Sequence, residues 1–379
     1  LVVRDAASGI QRVTRNILYQ LLLDPPEGFE VEAVYATVAK TEDDIGYRKA
    51  SRFTAKMHNL AEHESDELIE PIPGDIFLGL DLHHYVLDTQ FEYLKLLKNY
   101  GVLVYFVVYD LLPIQFPEYW PKEHSVKTVH SKWRSKISKF DGLICISRSV
   151  ADELIDWIGL NLPKRHRPLK VGWFHLGADM DKILKNREKK EDMTLNFGKK
   201  ITFLMVGTIE PRKRYDQVLE AFDLLWKEGI KANLVIVGKQ GWLVKDLVKK
   251  MNSHAKKNIN FFWFEGVSDT ILDKIYLESN CLIAASAGEG FGLPLIEAAH
   301  YNLPIIARNI PVFKEVAGDN ALFFEGHESN DMVQTLKKWI KLYELNKHPR
   351  GGISFLTWSE SAQQIKDVII KNNWYKQIE

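Results

Sequence analysis

The chain has 379 residues, a length that suggests two or at most three domains, and its 46% hydrophobic and 26% charged composition excludes a disordered or fibrous polymer. Lys plus Arg number 50 and Asp plus Glu number 50, so no global positive field draws the molecule onto nucleic acid. The longest apolar run, 102–109, falls far short of the ~20 residues needed to span a bilayer.

Taken in chain order, the pattern alternates short apolar runs with helical periodicity, the mark of βαβ units and a parallel sheet. The sequence opens on Leu1 rather than Met, which leaves its natural start open. After Gly9, residues 10–23 place Ile10, Val13, Ile17, Leu18 and Leu21 on one helix face. Strands are expected at 75–80, 102–110, 142–147 and 170–177, with helices between them. Segment 121–140 carries an apolar stripe (Val126, Val129, Trp133, Ile137, Phe140) under a basic surface that includes Lys122, Lys132, Arg134 and Lys136. Two readings stand for it: a core-packed helix with a solvated basic face, or a helix resting on an anionic bilayer.

Residues 183–200 are dense in charge and poor in periodicity, as expected of a linker between an N-terminal domain, 1–182, and a second one, 201–357. Strands follow at 201–207, 233–238, 258–266, 281–286 and 303–308. Between the first two lies a helix that Pro211 starts and Gly229 stops, with Tyr215, Val218, Leu219, Phe222, Leu225 and Trp226 on one face. A last helix is expected over 358–379 and is expected to cross back to the first domain. The fold class is α/β. Cys145 and Cys281 each sit in an apolar strand followed by Ser and a helix, which suggests two similar Rossmann-like halves. Both cysteines read as buried reduced thiols rather than a disulfide pair, which fits a reducing, cytoplasmic compartment.

Two strand-to-helix turns stand out chemically. In 284–308 a loop with Gly288, Gly290 and Gly292 precedes a helix opening near Leu293 and Pro294, leaving backbone N–H groups and a helix dipole to hold phosphate oxygens. Glu289 lies in that loop and Glu297 about one turn inside the helix, where both can face one ligand and bond its hydroxyls. The bland alternative makes Glu297 a solvated residue and Glu289 a cap. In 206–222 Arg212, Lys213 and Arg214 reach the C-terminal end of a strand, where open α/β sheets bind ligands. Cations opening a helix oppose its dipole unless something anionic compensates, and a diphosphate would. His83, His84, His130 and His175 show no metal-ligand spacing, so no metal is expected.

These segments resemble the retaining GT-B glycosyltransferases of family 4, also called group 1 glycosyltransferases. The resemblance rests on Glu289-x7-Glu297 within GEGFGLPLIEAA, on GTIEPRK, on GVSDTILDKIY at 266–276, on SGIQRVTRNIL at 8–18 and on DGLICISRSVADEL at 141–154, and covers nearly the whole chain. It implies two facing Rossmann-like domains and sugar transfer from a nucleotide donor held mainly by the C-terminal domain, generally without a metal or other cofactor. It assigns Lys213 to the donor diphosphate, Glu297 to the ribose hydroxyls and Glu289 to the transferred sugar, with Gly290, Phe291, Gly292 and Leu293 touching sugar and phosphate. Gly207 and Thr208 form the donor turn, and Gly238 and Val267 border the base pocket. Gly9, with Gln11, Arg12 and Ser147, falls on the acceptor side.

There are departures from the family pattern. Thr208 stands where many relatives carry Arg, with Arg212 as the replacement cation. Tyr109-Asp110 stands where many carry His-Asp, leaving Asp110 as an acceptor contact and no imidazole. The wording of the motifs resembles bacterial mannosyl transferases of surface polysaccharide assembly, so GDP-mannose is the expected donor and a glycan or lipid-linked glycan the expected acceptor, with peripheral attachment at the inner face of the plasma membrane. UDP- and dTDP-sugars, an epimerase or phosphorylase on the same architecture, and a non-catalytic glycan-binding subunit are the alternatives.

Overall fold

The computed structural model describes residues 9–57, 66–122, 126–162, 167–178, 195, 197–350 and 352–379. The chain divides into two units, Leu1–Gln115 with Ser125–Gly177 and Leu356–Glu379, and Phe116–His124 with Ala178–Phe355. Phe116–His124, placed by the sequence in the N-terminal domain, thus groups with the second unit. The expected linker lies outside the described residues except for 195 and 197–200.

In the first unit, α1 (Gly9–Leu23) is followed by a two-stranded antiparallel ribbon, β1 (Val34–Tyr35) and β2 (Arg48–Lys49), and by α2 (Ser51–Met57). Then come β3 (Ile76–Gly79), α3 (His84–Tyr100), β4 (Leu103–Val108), the single turn α4 (Leu112–Gln115), α5 (Val126–Ile137), β5 (Gly142–Cys145), α6 (Arg148–Asn161) and β6 (Leu169–Trp173). Strands β3 to β6 are parallel in sequence order. Their apolar runs are legible because helices cover a parallel sheet and both strand faces are buried; five of the six residues of β4 are less than 6% exposed. Helix α1 buries Val13, Ile17 and Leu21 on the face the spacing predicts.

Two expectations for this unit need correction. Segment 121–140 is helical only over α5 among its described residues, and its stripe is spent on the core: Trp133, Ile137 and Phe140 are buried, while Lys132 and Lys136 pair with Asp88. Arg134, read from sequence as surface charge, is 1% exposed because its guanidinium reaches inward to the Asp110 carbonyl. The final helix is also shorter than expected. It is Trp358–Ile369, opened by a Thr357–Glu360 capping box, and the chain then turns into a strand, Lys376–Ile378, antiparallel to β6. Asn372 takes the positive φ that this turn demands.

The second unit runs β7 (Ile201–Val206), α7 (Tyr215–Lys227), β8 (Ala232–Val237), α8 (Lys245–Asn252), β9 (Phe261–Phe264), α9 (Asp269–Leu277), β10 (Cys281–Ala284), α10 (Leu293–His300), β11 (Ile305–Arg308), α11 (Pro311–Ala317), β12 (Ala321–Phe324) and α12 (Ser329–Glu344). The helix over 358–369 and the strand over 376–378 are α13 and β13, which belong to the first unit. The sheet order is β12-β11-β10-β7-β8-β9, all parallel. Numbered within the unit this is 6-5-4-1-2-3, the doubly wound order whose direction reverses between β7 and β10. Crevices at such a reversal, beyond the C-terminal strand ends, are where this architecture binds ligands.

Pro211 opens a 3-10 turn, Pro211–Lys213, rather than α7 itself, which starts at Tyr215 after Arg214 in the left-handed region at φ 57°. Thus Arg212 and Lys213 precede the helix instead of opening it. Sequence reading missed β12 and α12, whose Trp339 is fully buried 5.1 Å from the Phe203 ring. Both cysteines are free and buried, as read.

Candidate active site

The turn after β7 and the loop after β10 leave neighbouring strands at the sheet reversal, and their charged side chains meet there. Arg212 Nη1 lies 2.8 Å from Glu289 Oε2, and Arg212 Nη2 lies 2.6 Å from Glu210 Oε1. Lys213 Nζ donates to Glu289 Oε1, and Ser286 Oγ donates to the same oxygen at 2.7 Å. The backbone closes the arrangement: Arg212 Nη1 donates to the Gly288 carbonyl at 3.0 Å, and Ala287 N–H donates to the Arg212 carbonyl at 2.7 Å. Loops some 76 residues apart in sequence are thereby stitched into one wall.

The network is largely withdrawn from water, with side-chain exposures of 16% for Arg212, 14% for Lys213 and 10% for Glu289. Burial alone would push the Glu289 carboxyl up, but the Arg212 and Lys213 charges and the Lys213 and Ser286 hydrogen bonds outweigh it and hold the pKa at about 2. Glu210 goes the other way: burial raises it, and Arg212 and Lys213 offset only part of that. The anionic compensation that sequence reading assigned to a diphosphate is therefore supplied here by two carboxylates of the chain. Glu210 was missed, although an acid directly before Pro211 and three cations is the signal that could have found it.

A small cleft between the ends of β7 and β10 is lined by Lys213, Ser286, Glu289 and Gly292. Gly292 caps α10 at φ 101°, in the left-handed region that favours glycine, and an added Cβ would also lie 2.8 Å from the Phe313 ring. Phe291 is buried, and Gly290 and Leu293 flank the same turn. Gly207, at φ 135°, accepts the Tyr215 hydroxyl on its carbonyl at 2.7 Å, and Thr208 beside it is exposed. At Gly238 a Cβ would fall 1.8 Å from the Gly207 carbonyl oxygen, so the crossing of the β7 and β8 exits itself requires glycine there. Val267 is half-buried after β9.

Glu289 and Glu297, expected to look onto one ligand, are held by different partners. Glu297 accepts the Tyr276 hydroxyl at 2.9 Å, and Tyr276 stacks on Tyr301 with centroids 4.9 Å apart. Glu297 is thus a half-buried, oriented carboxylate rather than a fully solvated one. Tyr276 was not singled out from the sequence because its helical period reads only as core.

In the first unit, two of the acceptor-side candidates follow C-terminal strand ends and three lie at the start of α1. Asp110 follows β4, its Oδ1 accepting Leu112 N–H at 3.1 Å and its carbonyl accepting Arg134. Ser147 follows β5, is fully buried and accepts Val150 N–H at 3.2 Å as the cap of α6. Gly9 opens α1, Arg12 is half-buried on it, and Gln11 lines a cavity of about 310 Å³ with Asp81 and His83. Glu153, unnoticed in the sequence, is pushed up to about 7, chiefly by burial, with Asp110 adding repulsion. The His84 and His130 rings meet at a tilt of 56° with centroids 4.2 Å apart, and burial lowers the pKa of both. Among the described residues no group of three or more His, Cys, Asp or Glu is placed to hold a metal ion, and no helix is long and apolar enough to cross a membrane.

Residues 177–350 match the family described as Glycosyl transferases group 1. The chain is similar to the Serotype-specific mannosyltransferase WbdA of Escherichia coli, at 40% identity over 96% of this chain, and spans 43% of that relative's length. Among solved structures it is similar to an alpha,alpha-trehalose-phosphate synthase (UDP-forming) from Burkholderia vietnamiensis, with a TM-score of 0.58 and 12% identity over 80% of this chain and 70% of that one. A second is Anabaena Alr3699/HepE in complex with UDP and glucose, with a TM-score of 0.53 and 15% identity over 77% and 73%. These likenesses agree with the GT-B fold class of parallel-sheet α/β units. The Rossmann order, the paired turns at its reversal and the matched segment coincide: residues 177–350, which match Glycosyl transferases group 1, contain every strand of the second sheet and both turns that meet at its reversal.

Proposed function

We propose that the chain is a mannosyltransferase of bacterial polysaccharide synthesis, moving mannose from GDP-mannose to a growing glycan or lipid-linked glycan with retention at the anomeric carbon and without a metal. The observation that carries the reading is the Arg212–Lys213–Glu289 network at the sheet reversal. Support for the sugar comes from relatives named as mannosyltransferases, among them one named for the O-antigen chain.

In this reading the donor diphosphate lies against Lys213, Arg212 and the glycine turn. Negative charge grows on the leaving nucleoside diphosphate as its bond to the sugar breaks, and fixed cations and N–H groups stabilise that charge more in the transition state than in the ground state. Glu297 bonds the ribose hydroxyls, oriented by Tyr276. Glu289 is a poor base and a poor nucleophile, since a carboxyl held at about 2 and bonded to two cations and a hydroxyl has little basicity left. It therefore positions the sugar. The acceptor hydroxyl attacks on the face the diphosphate leaves, the new glycosidic bond forms as the sugar–phosphate bond breaks, and the acceptor proton passes to a phosphate oxygen of the departing diphosphate.

The test is transfer from GDP-, UDP- and dTDP-sugars to a mannose oligosaccharide, with the product linkage read by NMR. GDP-mannose should give an α-linked product, and Lys213→Ala should lower turnover roughly 100-fold. Transfer from another donor only, inversion, or near-normal turnover in the variant would each overturn the corresponding part.

A further inference from the structure

Apart from the small cleft at the reversal, the second unit holds a cavity of about 620 Å³, within the roughly 300–1,000 Å³ range of small-molecule sites. Its walls are the connections that leave β7 and β8 and the helix starts they lead into: Glu210, Arg214 and, on α7, Asp216; Leu243 and, on α8, Lys245 and Asp246; together with Tyr119. The tyrosine is held in place: Trp242 donates its indole N–H to the Tyr119 carbonyl at 2.7 Å and sits 6.2 Å from the Trp120 ring, and Phe116 stacks on Tyr119 at 6.0 Å. Leu243 takes φ 55°, an uncommon conformation for a bulky side chain, and is 57% exposed at this cavity.

Its charges balance. Arg214 pairs with Asp216 at 3.2 Å, Glu210 is engaged by Arg212, and Lys245 and Asp246 are adjacent and exposed. With three carboxylates against one guanidinium and one ammonium in its lining, and Arg212 engaging Glu210 from outside, the wall carries too little net charge to hold a phosphate or a cation, yet its carboxylates and the Arg214 guanidinium can bond hydroxyl pairs. Tyr119 and Leu243 add apolar surface suited to the carbon face of a sugar ring.

We propose that this cavity is a saccharide subsite, binding a neutral segment of the glycan chain on the same unit that holds the donor turns. The inference rests on the reading that the acceptor is a glycan. Glu210 belongs to both places, lining the cavity and holding Arg212.

The test uses the full chain, an α-linked mannotetraose as probe in calorimetry, and initial rates with a short and a long mannose acceptor. Tyr119→Ala and Asp246→Asn lie outside the donor network. Each should weaken mannotetraose binding about tenfold and raise KM for the long acceptor, as expected for lost hydroxyl and ring contacts. GDP affinity and the rate on the short acceptor should be unchanged. Unaltered mannotetraose binding in both variants, with short acceptors still mannosylated, overturns the subsite and leaves the proposed function standing. Lost GDP affinity in either variant assigns the cavity to the nucleotide and overturns it too. Failure to transfer to any mannose acceptor overturns the proposed function and the subsite with it.

Discussion

At the scale of single residues, the site is governed by which carboxylate takes which cation. Glu289 is depressed to about 2 from an ordinary 4.5, so its ionised form favours the folded state. That contribution is fully present above the ordinary carboxylate pKa and is lost as pH falls from near 5 toward 2; its size is roughly 3 kcal/mol. Glu289→Gln should therefore be markedly less stable than the parent at pH 7 and about equal to it near pH 2, in denaturant titrations across that range. A constant gap at all pH values would show that the carboxylate charge is not the cause. Glu297 is argued from its partner instead. Glu297→Ala should weaken GDP binding by about 1–3 kcal/mol through the lost charged hydrogen bonds, and unchanged calorimetric affinity would contradict its assignment to the ribose.

At the scale of elements, close approach decides more than propensity. The exits of β7 and β8 pass so near one another that Gly238 has no room for a methyl group against the Gly207 carbonyl, a backbone atom that cannot swing aside. Gly238→Ala should push these exits apart and displace the turn carrying Arg212 and Lys213. A loss of about 1–3 kcal/mol in stability is expected, in line with overpacked sites, together with weaker GDP binding; a variant with parental melting and affinity would refute the packing argument. Nothing in the sequence around Gly238 announces this, because it depends on two strands being neighbours. The same reason separates what was legible from what was not. β7, β8, β10 and β11 announce themselves as apolar runs because both of their faces are buried, and the glycine turn and cation turn are local patterns. The bond between those turns, the role of Glu210 and the hold of Tyr276 on Glu297 are tertiary; β12 is only partly buried, with Leu322 and Phe323 half-exposed, and β13 is three residues long with two of them exposed. The opening of α7 was misjudged because Pro211 begins a 3-10 turn as readily as a helix.

At the scale of the whole molecule, the chain's C-terminal segment belongs to the unit with which it begins. Helix α13 sends Lys366 Nζ to Asp24 at 2.6 Å, and Ser361 donates to the His175 carbonyl at 2.6 Å. β13 extends the first sheet along β6, and Trp374 lies over the two glycines of the adjoining strands, where a Cβ on Gly142 or Gly172 would come within 2.8 or 3.2 Å of its ring. A backbone-paired edge and a packed indole are thus supplied from more than 180 residues away in sequence. Ending the chain before Leu356 removes them from the first unit while leaving every strand of the second sheet in place. The truncated chain should lose its first-unit melting transition or show it shifted down by several degrees, and transfer should fail. Calorimetry should still find GDP bound, because Lys213, Arg212, Glu289 and Glu297 all lie in the second unit. Loss of both properties together would mean that the two units do not fold independently, and retention of transfer would mean that the first unit needs neither the strand nor the indole.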